Sequence, residues 1–280
     1  VKDLLLADGV LDSDRLIDRT GISSVWHLSE DEDLISLAWD SFIELAPHLP
    51  DLDEIECLIS VTESPRYKFP GNSFELADCF GLKSSVQCID LNAGCSGFVD
   101  ALSLAYGLGV KALVVTQESY SRYNHMERSA SSILFSDAAA VTLVDPQKIV
   151  IEHQSFRRSS ESQRDLFVDA DGLSFTMNGS NVYGFVLDVV IPQVRLLCEA
   201  QDYDAALIHS GSKLVLDAIQ QYGLPSDISM PRNLHVNGNL VSASLPALIA
   251  DFFPDGLSSN TLLAGFGVGL YSNICGLRLR

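Results

Sequence analysis

The sequence predicts an α/β fold built from two similar halves. Short apolar runs that are typical of buried strands alternate with longer amphipathic stretches that are typical of helices. This alternation is interrupted near the midpoint by Asp145-Pro146-Gln147, and a new strand-like run begins at Ile149. Segments on the two sides of the interruption resemble each other. We therefore interpret the chain as an internal duplication, with coincidental similarity between α/β segments as the alternative.

The individual elements follow from the same patterns. The predicted strands are 55–61, 86–90, 112–116 and 139–144. The predicted helices are 33–46, 98–107, 186–200 and 214–222. In the first half, residues 90–95 form a strand end and a small-residue turn that lead into a helix at 98–105. Residues 235–239 are expected to lead in the same way into a helix at 241–250, and 205–209 resemble 56–60.

The charge of the chain excludes several classes of partner. The 280 residues include 18 Lys and Arg and 37 Asp and Glu, which gives 18 − 37 = −19. Such a surface repels the phosphates of nucleic acids and of anionic membranes. The length allows one large domain or two of about 140 residues.

The cysteine pattern and the N-terminal sequence predict a cytoplasmic protein without metal. The six cysteines form no C-x-x-C pair and no cluster with histidine at the spacing of metal ligands. Residues 1–8 are too interrupted by charge for a signal peptide, and uncharged apolar runs of about 18 residues are lacking. In a reducing compartment a cysteine stays a free thiol.

Cys95 is the candidate nucleophile. It lies in Asn92-Ala93-Gly94-Cys95-Ser96-Gly97, between a strand-like run and an amphipathic helix. The small neighbours allow a sharp turn and place the thiol at a helix N-terminus, where free N–H groups favour the thiolate. The other five cysteines are expected to be small core hydrophobes.

His209 and Asn239 are the candidate partners of the thiol. His209 follows the apolar run 205–208 and is expected at the carboxyl end of a buried strand, where ligand sites of α/β sheets lie. Asn239 lies in Gly238-Asn239, which by itself is only a turn signal. The glycine-rich residues 265–269 lack the Gly-Lys-Ser/Thr ending of a phosphate-binding loop. A satisfied core histidine and a plain turn asparagine are the structural alternatives.

An ordered set of motifs resembles the β-ketoacyl-acyl carrier protein synthase III family of the thiolase superfamily. The set covers nearly the whole chain, although no single motif decides it. Its members are Arg19-Thr20-Gly21-Ile22, Phe69-Pro70, residues 90–98, residues 135–140, His209, Gly238-Asn239 and residues 265–269.

The resemblance implies a fold and a reaction. The fold is a thiolase-like, duplicated αβαβα five-layered sandwich, with residues 1–147 carrying the nucleophile and 148–280 carrying the histidine and asparagine. Cys95 would accept an acyl group, with the main-chain N–H groups of Cys95 and Val268 as the oxyanion hole. His209 and Asn239 would then stabilise the enolate formed when a malonyl-type thioester loses CO₂. The product would be a β-ketoacyl compound of fatty acid or polyketide biosynthesis.

The resemblance also implies ligands and an assembly. Coenzyme A or phosphopantetheine thioesters would be substrates, carried by acyl-CoA or an acyl carrier protein, with no permanently bound cofactor or metal. Arg15, Arg19 and Arg128 would contact coenzyme A. Phe69 would reach into the acyl channel of a partner in a homodimer, with a heterodimer as the alternative.

The chain departs from the family pattern at several places. The family's opening strand has no counterpart before Val1, so either the sequence is truncated or its first half is reduced. Arg15 stands where the family usually has Trp, Val268 where it has Gly, and Leu214 where a basic residue would bind the carrier protein. The segment 155–175 is short and polar, and residues 157–162 within it are expected to form a loop, which predicts a different acyl pocket. These differences favour a specialised synthase of secondary metabolism.

Other functions remain open from the sequence. The acyl group on Cys95 could pass to an alcohol or amine without decarboxylation, or the chain could be a non-catalytic subunit of a heterodimer. A degradative thiolase needs a second catalytic cysteine, and Cys275 lies in a strand-like run where a structural role is expected. A hydroxymethylglutaryl-type synthase needs a glutamate near the thiol, and Asp90 and Asp100 are the only acidic residues expected nearby.

Overall fold

The protein is described by a computed structural model for residues 13–123, 134–160, 164–168, 175–254, 256–257 and 260–280. Within these residues the helices are α1 Ser13–Thr20, α2 Leu34–Leu45, α3 Asn72–Cys79, α4 Gly97–Leu108, α5 Gly179–Phe185, α6 Ile191–Ala200, α7 Lys213–Tyr222, α8 Leu234–Asn237 and α9 Ser244–Phe252. The strands are β1 Cys57–Val61, β2 Gln87–Leu91, β3 Ala112–Glu118, β4 Ala138–Val144, β5 Ile149–Arg158, β6 Leu166–Val168, β7 Phe175–Met177, β8 Ala205–Ile208, β9 Asn260–Gly267 and β10 Tyr271–Leu279.

The first sheet positions the turn that carries the nucleophile. Its order is β2-β1-β3-β4, with β1 parallel to both β2 and β3 and with β4 antiparallel to β3. Strands β1 and β3 are buried throughout and mainly apolar, as expected for the centre of a parallel sheet, although β3 ends in the buried polar residues Thr116-Gln117-Glu118. Their carboxyl ends lie side by side, with Val61 paired to Thr116.

The second sheet positions the histidine and the glycine-rich turn. Its order is β5-β10-β9-β8, in which only the β8–β9 pair is parallel. Strand β8 ends at Ile208, so His209 follows directly at the carboxyl end. A separate hairpin, β6–β7, completes the strands of the described residues.

The predicted five-layered sandwich is confirmed. Helices α4 and α9 pack between the two sheets, where Leu102 and Leu248 share one apolar cluster with Val114 and Leu263. Helices α2 and α3 cover the outer face of the first sheet, and α5, α6 and α7 cover the second. The division into domains 1–147 and 148–280 stays a prediction, since the central cluster joins residues of both halves.

One predicted strand of the second half is wrong. Residues 234–237 form the short helix α8, closed by a bond from the Gly238 N–H to the Leu234 carbonyl at 2.9 Å. Pro231 precedes this turn and has no N–H to donate to a sheet. The duplication is instead visible after the turn, because a 3₁₀ turn precedes α9 just as one precedes α4.

Two further expectations are corrected at other places. The helix predicted at 186–200 begins earlier, at Gly179, and contains a π-helical turn at Val186–Val190. Pro192 lacks the N–H that would close the regular turn, which favours this wider one. Arg157 and Arg158 belong to β5 and pair with β10, so the loop predicted at 157–162 is wrong for these two residues.

The continuous helical stretch Gly179–Ala200 is long and apolar enough by composition to span a membrane. Asp188 and Arg195 interrupt it, and Val186, Val190 and Val194 are fully buried against the second sheet. Core helices of globular proteins meet the same length and hydropathy criteria, and this burial accounts for the composition of the segment.

Asp100 joins helix α4 to the second sheet. Its Oδ1 accepts hydrogen bonds from the Tyr271 hydroxyl at 3.0 Å and from the Asn273 amide at 2.8 Å. Its Oδ2 accepts a bond from the Ser96 hydroxyl at 2.7 Å, directly after the nucleophile. One carboxylate therefore holds the nucleophile turn against β10.

Replacing this carboxylate should destabilise the protein. Asp100→Ala removes the shared acceptor and leaves partly or fully buried donors unpaired, so we expect the free energy of unfolding to fall by roughly 2–4 kcal/mol. Chemical denaturation measures this loss. The exposed Asp40→Ala in α2 is the matched control and should change the value by less than about 0.5 kcal/mol. Equal values for both variants would contradict the bridging role.

Candidate active site

The thiol of Cys95 lies where two turns from different halves meet. Cys95 is 5% exposed and sits in the 3₁₀ turn Gly94–Ser96 between β2 and α4. The backbone of Gly267, with φ 157°, approaches so closely that a Cβ there would lie 2.8 Å from the Cys95 Sγ. The main-chain N–H groups of Cys95 and Val268 lie near enough to the sulfur to lower the pKa of its thiol. Both predicted oxyanion-hole donors therefore converge on the thiol.

His209 is held neutral beside this turn. Its main-chain N–H donates to the Ala264 carbonyl at 2.9 Å, which fixes the residue to β9. Its imidazole ring stands edge-on to the ring of Phe266. Burial lowers the pKa of His209 from 6.5 to about 4, while a backbone hydrogen bond to Val241 acts in the opposite direction. The imidazole is therefore uncharged at neutral pH and acts as a neutral hydrogen-bonding group.

Asn239 is oriented by the backbone that follows it. Its Oδ1 accepts the Val241 N–H at 2.9 Å, so the Nδ2 group remains as the donor. Val241 adopts φ 52°, an unusual conformation for a β-branched residue. Residues 134–136, which belong to the first half, fix the main chain of Asn239. The Asn239 main-chain N–H donates to the Leu134 carbonyl, and the Asn239 main-chain carbonyl accepts the Ser136 N–H, both at 2.9 Å.

One cavity brings the three side chains together. It has a volume of about 470 Å³ and is lined by Cys95, His209 and Asn239. The rest of its lining is mainly apolar, with Leu134, Phe135, Leu166, Met177, Val182, Tyr183, Val215 and Phe266 among its members. The exposed residues Arg19 and Leu214 also line the cavity, which places its opening to solvent beside them.

The other predicted contacts lie outside this cavity. Arg15 is exposed on α1, and Phe69 is 81% exposed on the loop before α3. Arg128 lies outside the described residues. Cys275 is fully buried in β10, where burial raises the pKa of its thiol to about 12, in agreement with the predicted structural role. The described residues contain no group of three or more His, Cys, Asp or Glu that could hold a metal ion.

Two glutamates beside Cys95, the buried Glu118 and the partly buried Glu63, are missing from the sequence prediction. The Glu63 N–H donates to the Glu118 Oε2 at 3.1 Å, and the Tyr120 hydroxyl donates to the Glu63 Oε2. A Cβ on Gly94 would lie 2.6 Å from that Glu63 oxygen, so the carboxyl rests against the nucleophile turn. The expectation that only Asp90 and Asp100 are nearby acids is therefore wrong.

A signal for this pair exists in the sheet register. Glu63 and Glu118 each lie two residues beyond the paired positions Val61 and Thr116, at the carboxyl ends of adjacent parallel strands. Acidic side chains at equivalent places after neighbouring strands are brought together by the sheet. Asp90, by contrast, accepts bonds from the Ser73 N–H and hydroxyl.

The glutamates change the electrostatics of the thiol. Burial raises the pKa of Cys95 well above its ordinary value, and the charges of Glu63 and Glu118 raise it further. The N–H groups of Val268 and Cys95 lower it, but by less. The expectation of a thiolate favoured by the helix N-terminus is therefore wrong for the free protein, because desolvation outweighs the amide groups.

Comparison with known proteins shows similarity to one family of enzymes. Residues 89–161 match the family model of 3-oxoacyl-[acyl-carrier-protein] synthase III. The β-ketoacyl-[acyl-carrier-protein] synthase III 2 of Deinococcus radiodurans is 28% identical over 92% of this chain and 83% of its own length. This chain is similar to the synthase III enzymes over most of its length. The predicted resemblance is confirmed.

Solved structures agree with the fold of a synthase III relative. The 3-oxoacyl-(acyl-carrier protein) synthase of Burkholderia xenovorans LB400 superposes with a TM-score of 0.88 at 23% identity, over 99% of this chain and 89% of that one. OleA H285A of Xanthomonas campestris gives a TM-score of 0.87 at 15% identity, over 99% and 92%. The thiolase-like fold predicted from the motifs is therefore confirmed.

The buried Glu63 carboxyl should make stability depend on pH. Burial raises its pKa from 4.5 to about 7, against the opposing effect of the Tyr120 hydrogen bond. The folded protein thus keeps this proton to higher pH than the unfolded chain does. The resulting stabilisation is complete below pH 4.5 and is lost as the pH rises through 7, an effect of about 3 kcal/mol.

Denaturation of Glu63→Gln and the parent protein at pH 5 and pH 8 measures this effect. The amide is neutral at both values and still accepts the Tyr120 hydrogen bond, so the variant should lose less stability on going to pH 8. Glu44→Gln, at an exposed position of α2, should follow the parent. Identical pH dependence in all three proteins would contradict a buried, protonated Glu63.

Proposed function

We propose that this chain is an acyltransferase that holds an acyl group on Cys95 and condenses it with a malonyl-type thioester. The observation that supports this most strongly is the single cavity lined by a thiol, a neutral imidazole and an amide donor. The names of its relatives, which are β-ketoacyl-acyl carrier protein synthases III, agree with this chemistry. The reaction would release CO₂ and yield a β-ketoacyl product.

In the first step the Cys95 sulfur attacks the carbonyl carbon of an acyl thioester. The negative charge that develops on the carbonyl oxygen is stabilised by the N–H groups of Cys95 and Val268, which already point at the sulfur. Because both donors are main-chain groups, Val268 serves as well as the glycine that is usual in the family. The carrier thiol leaves and the acyl group remains on Cys95.

In the second step a malonyl-type thioester enters the same cavity and loses CO₂. The enolate oxygen that forms is stabilised by hydrogen bonds from His209 and from the Asn239 Nδ2 group. A neutral His209 suits this role, since burial prevents it from carrying a charge before the enolate forms. The enolate carbon then attacks the acyl group on Cys95 and forms the new carbon–carbon bond, while the carbon–sulfur bond to Cys95 breaks and the sulfur leaves as a thiolate that takes up a proton.

The thioester carrier is coenzyme A or phosphopantetheine, and no permanent cofactor takes part. Arg19 lines the cavity beside Leu214, where it can pair with phosphate, and we assign Arg15 and Arg128 to the same ligand. Lys213, the basic residue next to Leu214, is already paired with Asp217 at 2.6 Å. This pairing and the net charge of −19 favour an acyl-CoA over an acidic carrier protein as the donor.

The active unit is a homodimer formed through the nucleophile half. Among the described strands β2 pairs only with β1, so it is an edge of the first sheet, with exposed Gln87 and Asp90, along which a second copy can pair. The exposed Phe69 would cover apolar surface of the partner's acyl channel. A specialised cytoplasmic synthase of secondary metabolism fits the family differences, and a heterodimer is the alternative assembly.

Mass spectrometry after exposure to acyl-CoA thioesters tests the acyl-cysteine intermediate. The parent protein should gain the mass of one acyl group, with the preferred chain length giving the largest fraction. Cys95→Ala should gain none, whereas Cys198→Ala, which removes a partly buried cysteine far from the cavity, should behave like the parent. Equal mass shifts in the Cys95→Ala variant and the parent would rule out the proposed nucleophile.

Replacement of the amide donor separates condensation from simple acyl transfer. Asn239→Asp keeps the bond from the Val241 N–H but exchanges the Nδ2 donor for an acceptor. We expect acylation of Cys95 to be retained and the release of CO₂ from malonyl-CoA to fall by about 100-fold or more. Unchanged release, or none from the acylated parent, would instead favour acyl transfer to an alcohol or amine.

A further inference from the structure

The pair of glutamates behind the nucleophile has no role in the condensation described so far. Glu63 lies against the nucleophile turn at Gly94, and Tyr120, which donates to the Glu63 carboxyl, packs in one apolar cluster with Cys95. Glu118 accepts bonds from the Glu63 N–H at 3.1 Å and from the Ser242 hydroxyl at 2.6 Å. Burying carboxyls close together costs stability, and this cost points to a functional role for the pair.

We propose that Glu63 accepts the proton of Cys95 when the acyl group is loaded, with Glu118 and Tyr120 holding its carboxyl in place. This inference rests on the proposed function, because it assigns the proton of the acylation step. We assign Glu63 to the proton of the thiol and not to a proton of the substrate carbon, because the described residues that line the cavity include Cys95 but neither glutamate.

The buried thiol requires such a group. Burial raises the pKa of Cys95, so the attacking thiolate forms only if a neighbour takes the proton. Burial lowers the pKa of His209 to about 4, which makes the imidazole a weak base. The pKa of Glu63 is raised by burial to about 7, which matches a base that works near neutral pH.

The surroundings of Glu63 are consistent with transfer of one proton. The titratable or charged groups that face it are Cys95 on the nucleophile turn, Glu118 at the end of β3, and Tyr120, Arg122 and Tyr123 on the turn after β3. Burial and the charge of Glu63 raise the pKa of Glu118, so Glu118 stays protonated when Glu63 ionises. The pair then carries a single negative charge that can receive the Cys95 proton.

The step balances in atoms and charge. The S–H bond of Cys95 breaks and its proton moves to the Glu63 carboxylate, while the sulfur forms a bond to the acyl carbon. The carbon–sulfur bond of the donor thioester breaks, the departing coenzyme A thiolate takes a proton from solvent, and the partly exposed Glu63 returns its proton to solvent. Acyl-CoA and thiol thus give acyl-Cys95 and free coenzyme A, and Glu63 returns to its ionised state.

The test measures the rate of Cys95 acylation by rapid quenching with acyl-CoA between pH 5.5 and 8.5. The parent rate should rise with pH and level off above about 7. Glu63→Gln should acylate about 100-fold more slowly at pH 7. Its rate should climb throughout the range, since the thiol must then ionise by itself. Glu63→Asp should recover part of the rate, and Glu44→Gln should match the parent.

A second measurement separates this role from a structural one. Each variant is first acylated to completion and then mixed with malonyl-CoA, and CO₂ release is followed. Glu63→Gln should release CO₂ within about threefold of the parent, because decarboxylation precedes the cleavage of the Cys95–acyl bond that leaves a thiolate to be protonated. Equal slowing of both steps, or an acylation rate and pH profile like those of the parent, would overturn the proposal. An acylated parent protein that releases no CO₂ would refute the proposed condensation but not the proposed role of Glu63 in acylation.

Discussion

The close approach of the Gly267 backbone to the Cys95 sulfur is the constraint on which the rest of the site depends. It brings the turn after β9 onto the turn before α4, with no space for a side chain between them. This contact aims the Val268 N–H at the sulfur and joins the two halves at the nucleophile. The Asp100 bridge to Tyr271 and Asn273 supports the same junction from the other side of the turn.

Burial at this junction has two opposing consequences. It excludes water from the cavity and keeps His209 neutral, which favours stabilisation of an enolate by hydrogen bonds. It also raises the pKa of the Cys95 thiol and so disfavours the nucleophilic form. The amide groups at the sulfur offset only part of this cost. The buried glutamates give the site a group that can take the proton, which resolves the conflict within the fold.

Much of the fold and site is predictable from local sequence. Cys95 and His209 each follow a strand, one in each sheet, and ligand sites of α/β folds lie beyond the carboxyl ends of such strands. Glu63 and Glu118 escaped prediction because their burial depends on the register between β1 and β3, which no local pattern displays. The helical turn at 234–237 was mistaken for a strand since its stability comes from distant partners. The hydroxyls of Ser23 and Ser24 donate to its carbonyls at 2.8 and 2.6 Å.

The central claim is that one site first stores an acyl group and then condenses it. A single-turnover reaction tests it most directly, with acyl-Cys95 protein freed of excess acyl-CoA and mixed with malonyl-CoA labelled in its free carboxylate. We expect one labelled CO₂ and one β-ketoacyl thioester for each acyl group lost from Cys95. Loss of the acyl group without labelled CO₂, or an acyl-Cys95 that persists unchanged, would contradict it.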